Sequence, residues 1–163
     1  MTMEHYEMAE IEDAQNGKYL EFLIDKESYG IPISFVTEII SMQSVNTLPE
    51  APDYVKGIIN LRGKIIPVID MHCRLNRKDM TYTDRTCIVV VETDRLNIGL
   101  IVDSVTEVLM IEEKDIAPAP QIKTADSNGY LSGIGKVSGQ VKLLLDCDKL
   151  FNEEETKIVK ELN

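Results

Sequence analysis

The sequence predicts a mostly β protein made of two similar units, each a small closed barrel. Short apolar runs alternate with glycine or polar turns along nearly the whole chain, a pattern typical of β-hairpins. Several residues recur at a fixed spacing, which indicates an internal repeat. No long helical pattern separates the hairpins. Short strands joined by tight turns favour barrels, because closure leaves no sheet edge exposed.

Each predicted hairpin consists of two apolar runs that flank a turn. Four are predicted, at residues 19–31, 57–69, 86–102 and 130–145. A short helical turn is expected after Pro32, and the carboxylates of Asp70 and Asp146 suit the N-caps of brief helices that follow their strands. Residues 152–163 predict a C-terminal helix, since Asn152 can cap it and acidic residues occupy its first turn.

The repeat is visible at two spacings. At a spacing of 69 the matching residues are Asp25 and Asp94, Gly30 and Gly99, Val36 and Val105, Thr37 and Thr106, and Glu38 and Glu107. At a spacing of 76 they are Gly57 and Gly133, Ile58 and Ile134, Gly63 and Gly139, and Asp70 and Asp146. The second copy therefore has a longer connection, around residues 115–130. We expect a first barrel half at 17–80 and a second at 81–151.

Charge and composition exclude several classes of protein. The formal net charge is -11 and the chain has no cluster of Lys or Arg, so neither a nucleic acid nor an anionic membrane surface is expected as a partner. No apolar run approaches the roughly 18 residues that a membrane span needs. Three cysteines without close pairs suggest reduced thiols in a cytoplasmic protein. Residues 1–16 are acidic, contain no Lys or Arg and predict a flexible tail rather than a signal peptide.

The residues that could support catalysis are few and poorly placed. The two histidines, His5 and His72, lack metal-ligand spacing. His72 and Cys73 are adjacent, so their side chains point in different directions and make a poor nucleophile and base. We therefore expect a binding protein with no cofactor and no catalytic site. A small-molecule-binding barrel or a hydrolase that uses His72 and Cys73 is the alternative from another class.

Differences between the copies point to candidate binding residues. Gly63 and Gly139 occupy the position of a hairpin turn that requires a positive φ, but the residue before them is Arg62 in one copy and Ser138 in the other. Arg62 is therefore either a functional or internally paired side chain or an ordinary turn residue. Glu38 is its nearest candidate partner, unless both face water.

Val36 and Val105 allow two interpretations. They either belong to the core or face outward and line the cleft between the barrels, where an amphipathic helix would fit. Other apolar residues of the same segments can supply the core: Phe35, Ile39, Val102 and Val108.

An ordered set of motifs resembles the CheW family of bacterial chemotaxis coupling proteins. The matching segments are YGI at 29–31, VTEI at 36–39, VKGII at 55–59, NLRG at 60–63, GLIVD at 99–103, IAPAP at 116–120 and LSGIG at 131–135. The resemblance covers residues 18–151. It implies two side-by-side, five-stranded Src-homology-3-like barrels. It also implies an adaptor that joins the cytoplasmic tips of chemoreceptors to the regulatory domain of the histidine kinase CheA. A related coupling protein or a kinase regulatory domain with the same two barrels remains an alternative.

The same resemblance assigns residues to two contacts. The receptor groove between the barrels would be formed by Leu20, Ile33, Val36 and Val105, with Glu38, Gly57 and Arg62 nearby. The kinase contact would use Val45, Leu48 and Ile122. Ala117 departs from relatives that carry charge in the proline loop.

Overall fold

A computed structural model describes residues 17–78, 81–94, 96–120 and 129–150. The strands are β1 (Lys18–Ile24), β2 (Glu27–Pro32), β3 (Val36–Ser41), β4 (Val55–Leu61), β5 (Lys64–Asp70), β6 (Cys87–Glu92), β7 (Asn97–Val102), β8 (Ser104–Met110), β9 (Ile116–Pro118), β10 (Leu131–Val137) and β11 (Gln140–Leu145). Helical structure in these residues comprises the α-helix Met71–Arg74 and three 3₁₀ turns, Ile33–Phe35, Glu113–Asp115 and Cys147–Lys149. The predicted acidic tail at 1–16 and the predicted C-terminal helix at 152–163 lie outside the described residues.

The strands form two sheets, which confirms the mostly β prediction. A six-stranded sheet has the order β8-β1-β2-β11-β10-β9, and a five-stranded sheet has the order β3-β6-β7-β5-β4. Neighbouring strands are antiparallel, except that β2 and β11 pair in parallel in one sheet and β5 and β7 do so in the other. The two sheets therefore share one plan, as the repeat predicts.

The first hairpins are exchanged between the two copies. Hairpin β1–β2 of the first copy pairs with β8 and β11 of the second, and hairpin β6–β7 of the second copy pairs with β3 and β5 of the first. The boundaries 17–80 and 81–151 thus mark the copies of the repeat but not the two barrels. The exchange arises because the chain crosses from one sheet to the other after each first hairpin, through Ile33–Phe35 in one copy and Asp103 in the other.

Each sheet curls into a barrel because the chain of one edge strand continues to the opposite edge. Beyond β3, Asn46 exchanges backbone hydrogen bonds of 2.9 and 2.8 Å with Ile58 of β4. Beyond β8, a 3₁₀ turn leads into β9, which pairs with β10. We call the two units the six-stranded and the five-stranded barrel.

A large core lies between the barrels. Phe22 and Ile31 of the six-stranded barrel pack there with Val89, Leu100 and other fully buried side chains of the five-stranded barrel. The interior of the five-stranded barrel is a separate apolar cluster: Ile59, Ile66, Val68, Ile88, Val90 and Ile101. Side chains fill that interior, as is usual in small barrels, and this does not favour a small-molecule-binding barrel.

The two copies meet around Arg74. Its guanidinium carbon lies 4.7 Å from the ring centre of Tyr54 and 4.8 Å from that of Tyr130, and its Nε donates to the backbone oxygen of Leu150 at 2.9 Å. The tyrosines are related by the spacing of 76, and so are Arg74 and Leu150. Arg74 is only 5% exposed. Because it contacts the equivalent tyrosines of both copies at nearly equal distances, Arg74 lies close to the approximate twofold axis that relates them.

Candidate binding groove

A bulge in β8 brings two valines to one face of the edge strand. Phe22 pairs with Val105 and Leu20 pairs with Val108, and the register shifts between them so that Thr106 has no partner of its own. In an unbroken strand, residues three positions apart face opposite sides. The extra residue resets the alternation. Val105 and Val108 therefore share the side of the sheet that carries Phe22 and Leu20.

The repeat places an equivalent bulge in β3. Val36 pairs with Val91 and Ile39 with Val89, with the register shift at Thr37 between them. Val36 and Ile39 consequently face the same side as the two core valines of β6. Both edge strands thus direct aliphatic side chains toward the junction of the barrels.

We name this region the β3–β8 surface and define it by Val36, Ile39, Ser41, Val105, Val108 and Met110. Ile39, Val108 and Met110 are 46%, 51% and 57% exposed. Val36 and Val105 are half-buried and pack against the shared core. Both interpretations of the two valines thus hold in part, since each side chain contacts the core and keeps some exposed area.

Two depressions join the edge strands across the start of β6. One, of about 540 Å³, is lined by Val105 and Thr106 together with Arg85 and Cys87. The other, of about 400 Å³, is lined by Ile39 and Ser41 and by the same arginine and cysteine. Burial raises the pKa of the Cys87 thiol, although the backbone N–H of Val105 donates to it. Arg85 and Cys87 line both depressions, which therefore adjoin each other between Ser41 of β3 and Val105 of β8.

Ile39 and Val108, which the sequence allows as core residues, both lie at the surface. The bulges are the cause, because one extra residue moves each side chain to the other face of its strand. A signal was present in the sequence: Val36 and Ile39 are three residues apart, and Val105 and Val108 repeat the pair at the spacing of 69.

Leu20, predicted to line the groove, and Gly57, predicted near it, are both buried. Leu20 is 3% exposed because it packs in the shared core, so it has almost no area to offer a partner. Gly57 is buried, and a Cβ there would lie 2.1 Å from the backbone oxygen of Asn46. Its function is to let that segment close the barrel. Ile33 is half-buried against the shared core.

Arg62 and Glu38 pair through two hydrogen bonds. Nη1 and Nη2 of Arg62 donate to Oε1 and Oε2 of Glu38 at 2.6 and 2.7 Å. The hydrogen bonds from Arg62 lower the pKa of the Glu38 carboxyl. Arg62 and Gly63 both have positive φ, 53° and 88°, as a tight hairpin turn of this type requires. The second copy has the same turn with Ser138 in place of the arginine.

Two of the three residues predicted for kinase binding, Val45 and Leu48, lie on the connection between β3 and β4. Val45 and Leu48 are half-buried, and Val45 packs against the interior of the five-stranded barrel. Ile122 lies outside the described residues.

His72 is occupied by other contacts. Its Nε2 lies 2.7 Å from Oδ1 of Asp103, and its Nδ1 lies 3.1 Å from the backbone oxygen of Lys78. With both ring nitrogens engaged, the geometry does not support a nucleophile and base formed with Cys73. Among the described residues no group of three His, Cys, Asp or Glu side chains could hold a metal ion. None of the helices in this part of the chain is long and apolar enough to cross a membrane.

Known proteins resemble this chain over most of its length. The model of the CheW-like domain family matches residues 18–155. The chemotaxis protein CheW of Klebsiella aerogenes is 33% identical over 142 residues, covering 87% of this chain and 86% of that protein. CheW of Treponema pallidum is 32% identical over 160 residues, covering 94% and 93%. The crystal structure of the scaffolding protein TtCheW from Thermoanaerobacter tengcongensis has a TM-score of 0.78 and 36% identity, covering 85% of this chain and 94% of TtCheW.

Proposed function

The chain belongs to the CheW-like domain family of chemotaxis adaptors, and we propose that it joins the cytoplasmic tips of chemoreceptors to the regulatory domain of the histidine kinase CheA. The observation that carries the receptor contact is the β3–β8 surface, where Ile39, Val108 and Met110 are about half exposed. A contiguous patch of exposed aliphatic side chains is typical of an interaction site, whereas single exposed apolar residues are ordinary surface. A groove of this shape suits the apolar face of an amphipathic helix.

The pair Glu38–Arg62 gives the groove a direction. Without it, the two orientations of a helix would be distinguished only by unequal side chains of the edge strands, Ile39 and Ser41 on β3 against Val108 and Met110 on β8. Only the first copy has the charged pair, because the corresponding residues of the second are Glu107 and Ser138. We assign to Arg62 and Glu38 the role of selecting one orientation of the receptor.

The kinase contact is assigned to the connection that closes the five-stranded barrel, with Val45 and Leu48, and to Ile122. Support for the first two is their half-buried state at one end of that barrel. An adaptor at this position would lie in the cytoplasm, attached to membrane receptors through protein contacts alone.

Such an adaptor needs no chemistry of its own. A micromolar contact corresponds to about -8 kcal/mol, and an array gains further stability because linked contacts form at high effective concentration. Signalling then requires only that the two receptor states bind the adaptor–kinase pair with different free energies.

The test is a calorimetric titration of the protein with a receptor-tip fragment and, separately, with the kinase regulatory domain. Wild-type protein should bind both, and Val108→Glu should weaken receptor binding at least tenfold while it leaves kinase binding unchanged. Val141→Glu is the matched control, since Val141 is 55% exposed on β11, outside the β3–β8 surface. Absence of receptor binding by the wild-type protein, or an equal loss in both variants, contradicts the proposal.

A further inference from the structure

The interior of the six-stranded barrel contains a buried ion pair. Nζ of Lys142 lies 2.7 Å from Oε2 of Glu21, and both side chains are 8% exposed. Lys142 also donates to Oε1 of Gln140 at 3.1 Å and to Oγ of Ser28 at 3.4 Å. Taking two charges out of water is costly, and an apolar pair of similar volume is often as stable or more so. The barrel therefore carries a feature that stability alone does not explain.

The other copy shows that the fold does not need these charges. At the spacings of 69 and 76, the counterparts of Glu21 and Lys142 are Val90 and Ile66. Both are buried in the apolar interior of the five-stranded barrel. The strands that carry them have the same neighbours in the same order. Two aliphatic side chains thus satisfy the same architecture.

The ion pair reaches the groove through Thr106, the bulge residue of β8. The hydroxyl of Thr106 donates to Oε1 of Glu21. The same hydroxyl lies 3.2 Å from the backbone oxygen of Glu21. In the other copy Thr37 has only the equivalent backbone contact, to the oxygen of Val90 at 3.1 Å. Burial opposes ionisation of Glu21, but hydrogen bonds from Lys142 and Thr106 outweigh it and lower its pKa. Both bulges thus share a contact from threonine to the backbone, and the bulge of β8 has in addition an ionised carboxylate that is paired with Lys142.

This difference matters because the two bulges support unequal surfaces. Val108 and Met110 beyond the bulge of β8 are each more than half exposed, whereas β3 has Ile39 and the small Ser41 at the corresponding positions. The more exposed half has less packing to hold it in place. Holding a binding surface in its bound conformation raises affinity, because less ordering is needed on association.

We propose that Glu21 and Lys142 are positioning residues for the β3–β8 surface: they hold Thr106 so that Val105 and Val108 stay side by side for the receptor helix. The inference rests on the proposed function, since it needs the receptor to bind this surface. It goes further in assigning a binding role to a buried pair that never touches the partner.

The experiment transfers the apolar pair of one barrel to the other, as Glu21→Val/Lys142→Ile. The unfolding midpoint in urea should be unchanged or higher. Affinity for the receptor-tip fragment should fall at least fivefold, affinity for the kinase regulatory domain should stay within twofold, and amide exchange at 105–107 should accelerate at least tenfold. The matched control is Glu112→Val/Lys114→Ile, which removes an exposed pair of the same charges and should change none of these quantities.

The outcomes separate this inference from the proposed function. If wild-type protein fails to bind the receptor fragment, the proposed function is wrong. If wild-type protein binds the fragment, and the Glu21→Val/Lys142→Ile variant binds it equally well with unchanged amide exchange, the inference is overturned.

If the Glu21→Val/Lys142→Ile variant does not fold, two variants of Thr106 test the positioning role of the ion pair. Thr106→Val should weaken receptor binding at least threefold, and Thr106→Ser, which keeps the hydroxyl, should restore it. Wild-type affinity in both overturns the inference.

Discussion

Gly57 lies where β4 bulges, and its φ of +156° brings its backbone against the segment that closes the five-stranded barrel. In Gly57→Ala the added carbon would lie 2.1 Å from the oxygen of Asn46 and 2.8 Å from Cγ1 of Val45. Backbone cannot yield by that much locally. The segment has to move away, which breaks the two hydrogen bonds between Asn46 and Ile58.

The stability lost in Gly57→Ala can be estimated from the broken hydrogen bonds and the backbone strain. Two backbone hydrogen bonds contribute about 1 kcal/mol each, and an alanine held at this φ costs about 1 to 3 kcal/mol. We expect Gly57→Ala to lower the free energy of unfolding by roughly 3 to 5 kcal/mol. The counterpart Gly133→Ala meets Cγ2 of Ile116 at 3.0 Å and the oxygen of Ala117 at 3.2 Å. A shift of a few tenths of an ångström accommodates that contact, at about 1 to 2 kcal/mol.

Urea denaturation of both variants tests this, with binding measured where each is folded. Gly57→Ala should lose kinase-domain affinity, because Val45 and Leu48 move with the closing segment, and should keep receptor affinity. Equal stability loss in the two glycine variants would refute the steric reasoning. If folded Gly57→Ala lost receptor affinity and kept kinase-domain affinity, Gly57 would contribute to the receptor-binding groove.

Arg62→Ala should lower kinase stimulation severalfold in a reconstituted receptor–kinase assay and leave the unfolding midpoint unchanged. Ser138→Ala is the control and should change neither quantity. Wild-type stimulation by Arg62→Ala would count against an orienting role. The pKa of Glu21 is lowered by folding, so the stability that its ionised form contributes is present above pH 4.5 and is lost as the pH falls further. Acid unfolding of Glu21→Val/Lys142→Ile should therefore depend less on pH in this range than that of wild type, and parallel curves would contradict the assignment. Arg74→Ala should destabilise the protein by about 2 to 4 kcal/mol, through lost stacking, packing and one hydrogen bond; a loss below about 1 kcal/mol in urea would show that the junction of the copies does not depend on it.

Local features of the fold were predictable from the sequence, and non-local ones were not. Alternating apolar residues and turn glycines identify hairpins because both signals lie within a few positions, and the positive φ of Gly63 and Gly139 is confirmed. The repeat identifies which segments correspond. It carries no information on which copy a hairpin pairs with, since exchanged and unexchanged pairings satisfy the same apolar pattern.

Bulges limited the prediction of the groove in a similar way. Regular alternation puts Ile39 and Val108 in the core, and one extra residue in each strand reverses that result. The signal that was present, an aliphatic pair three residues apart in both copies, does not by itself show that Thr37 and Thr106 are unpaired. The sequence did not decide whether Arg62 pairs with Glu38. The two residues belong to opposite edges of one sheet, and they meet only because that sheet curls into a barrel.

The exchanged hairpins bear on how such a chain could arise. Two identical subunits with a single copy each could build the same two barrels, each contributing its first hairpin to the other. Joining them in one chain makes assembly independent of concentration. It also allows the two halves to have different sequences. One hairpin turn can then contain an arginine and one barrel interior can contain an ion pair, whereas two identical subunits would have both features twice or not at all.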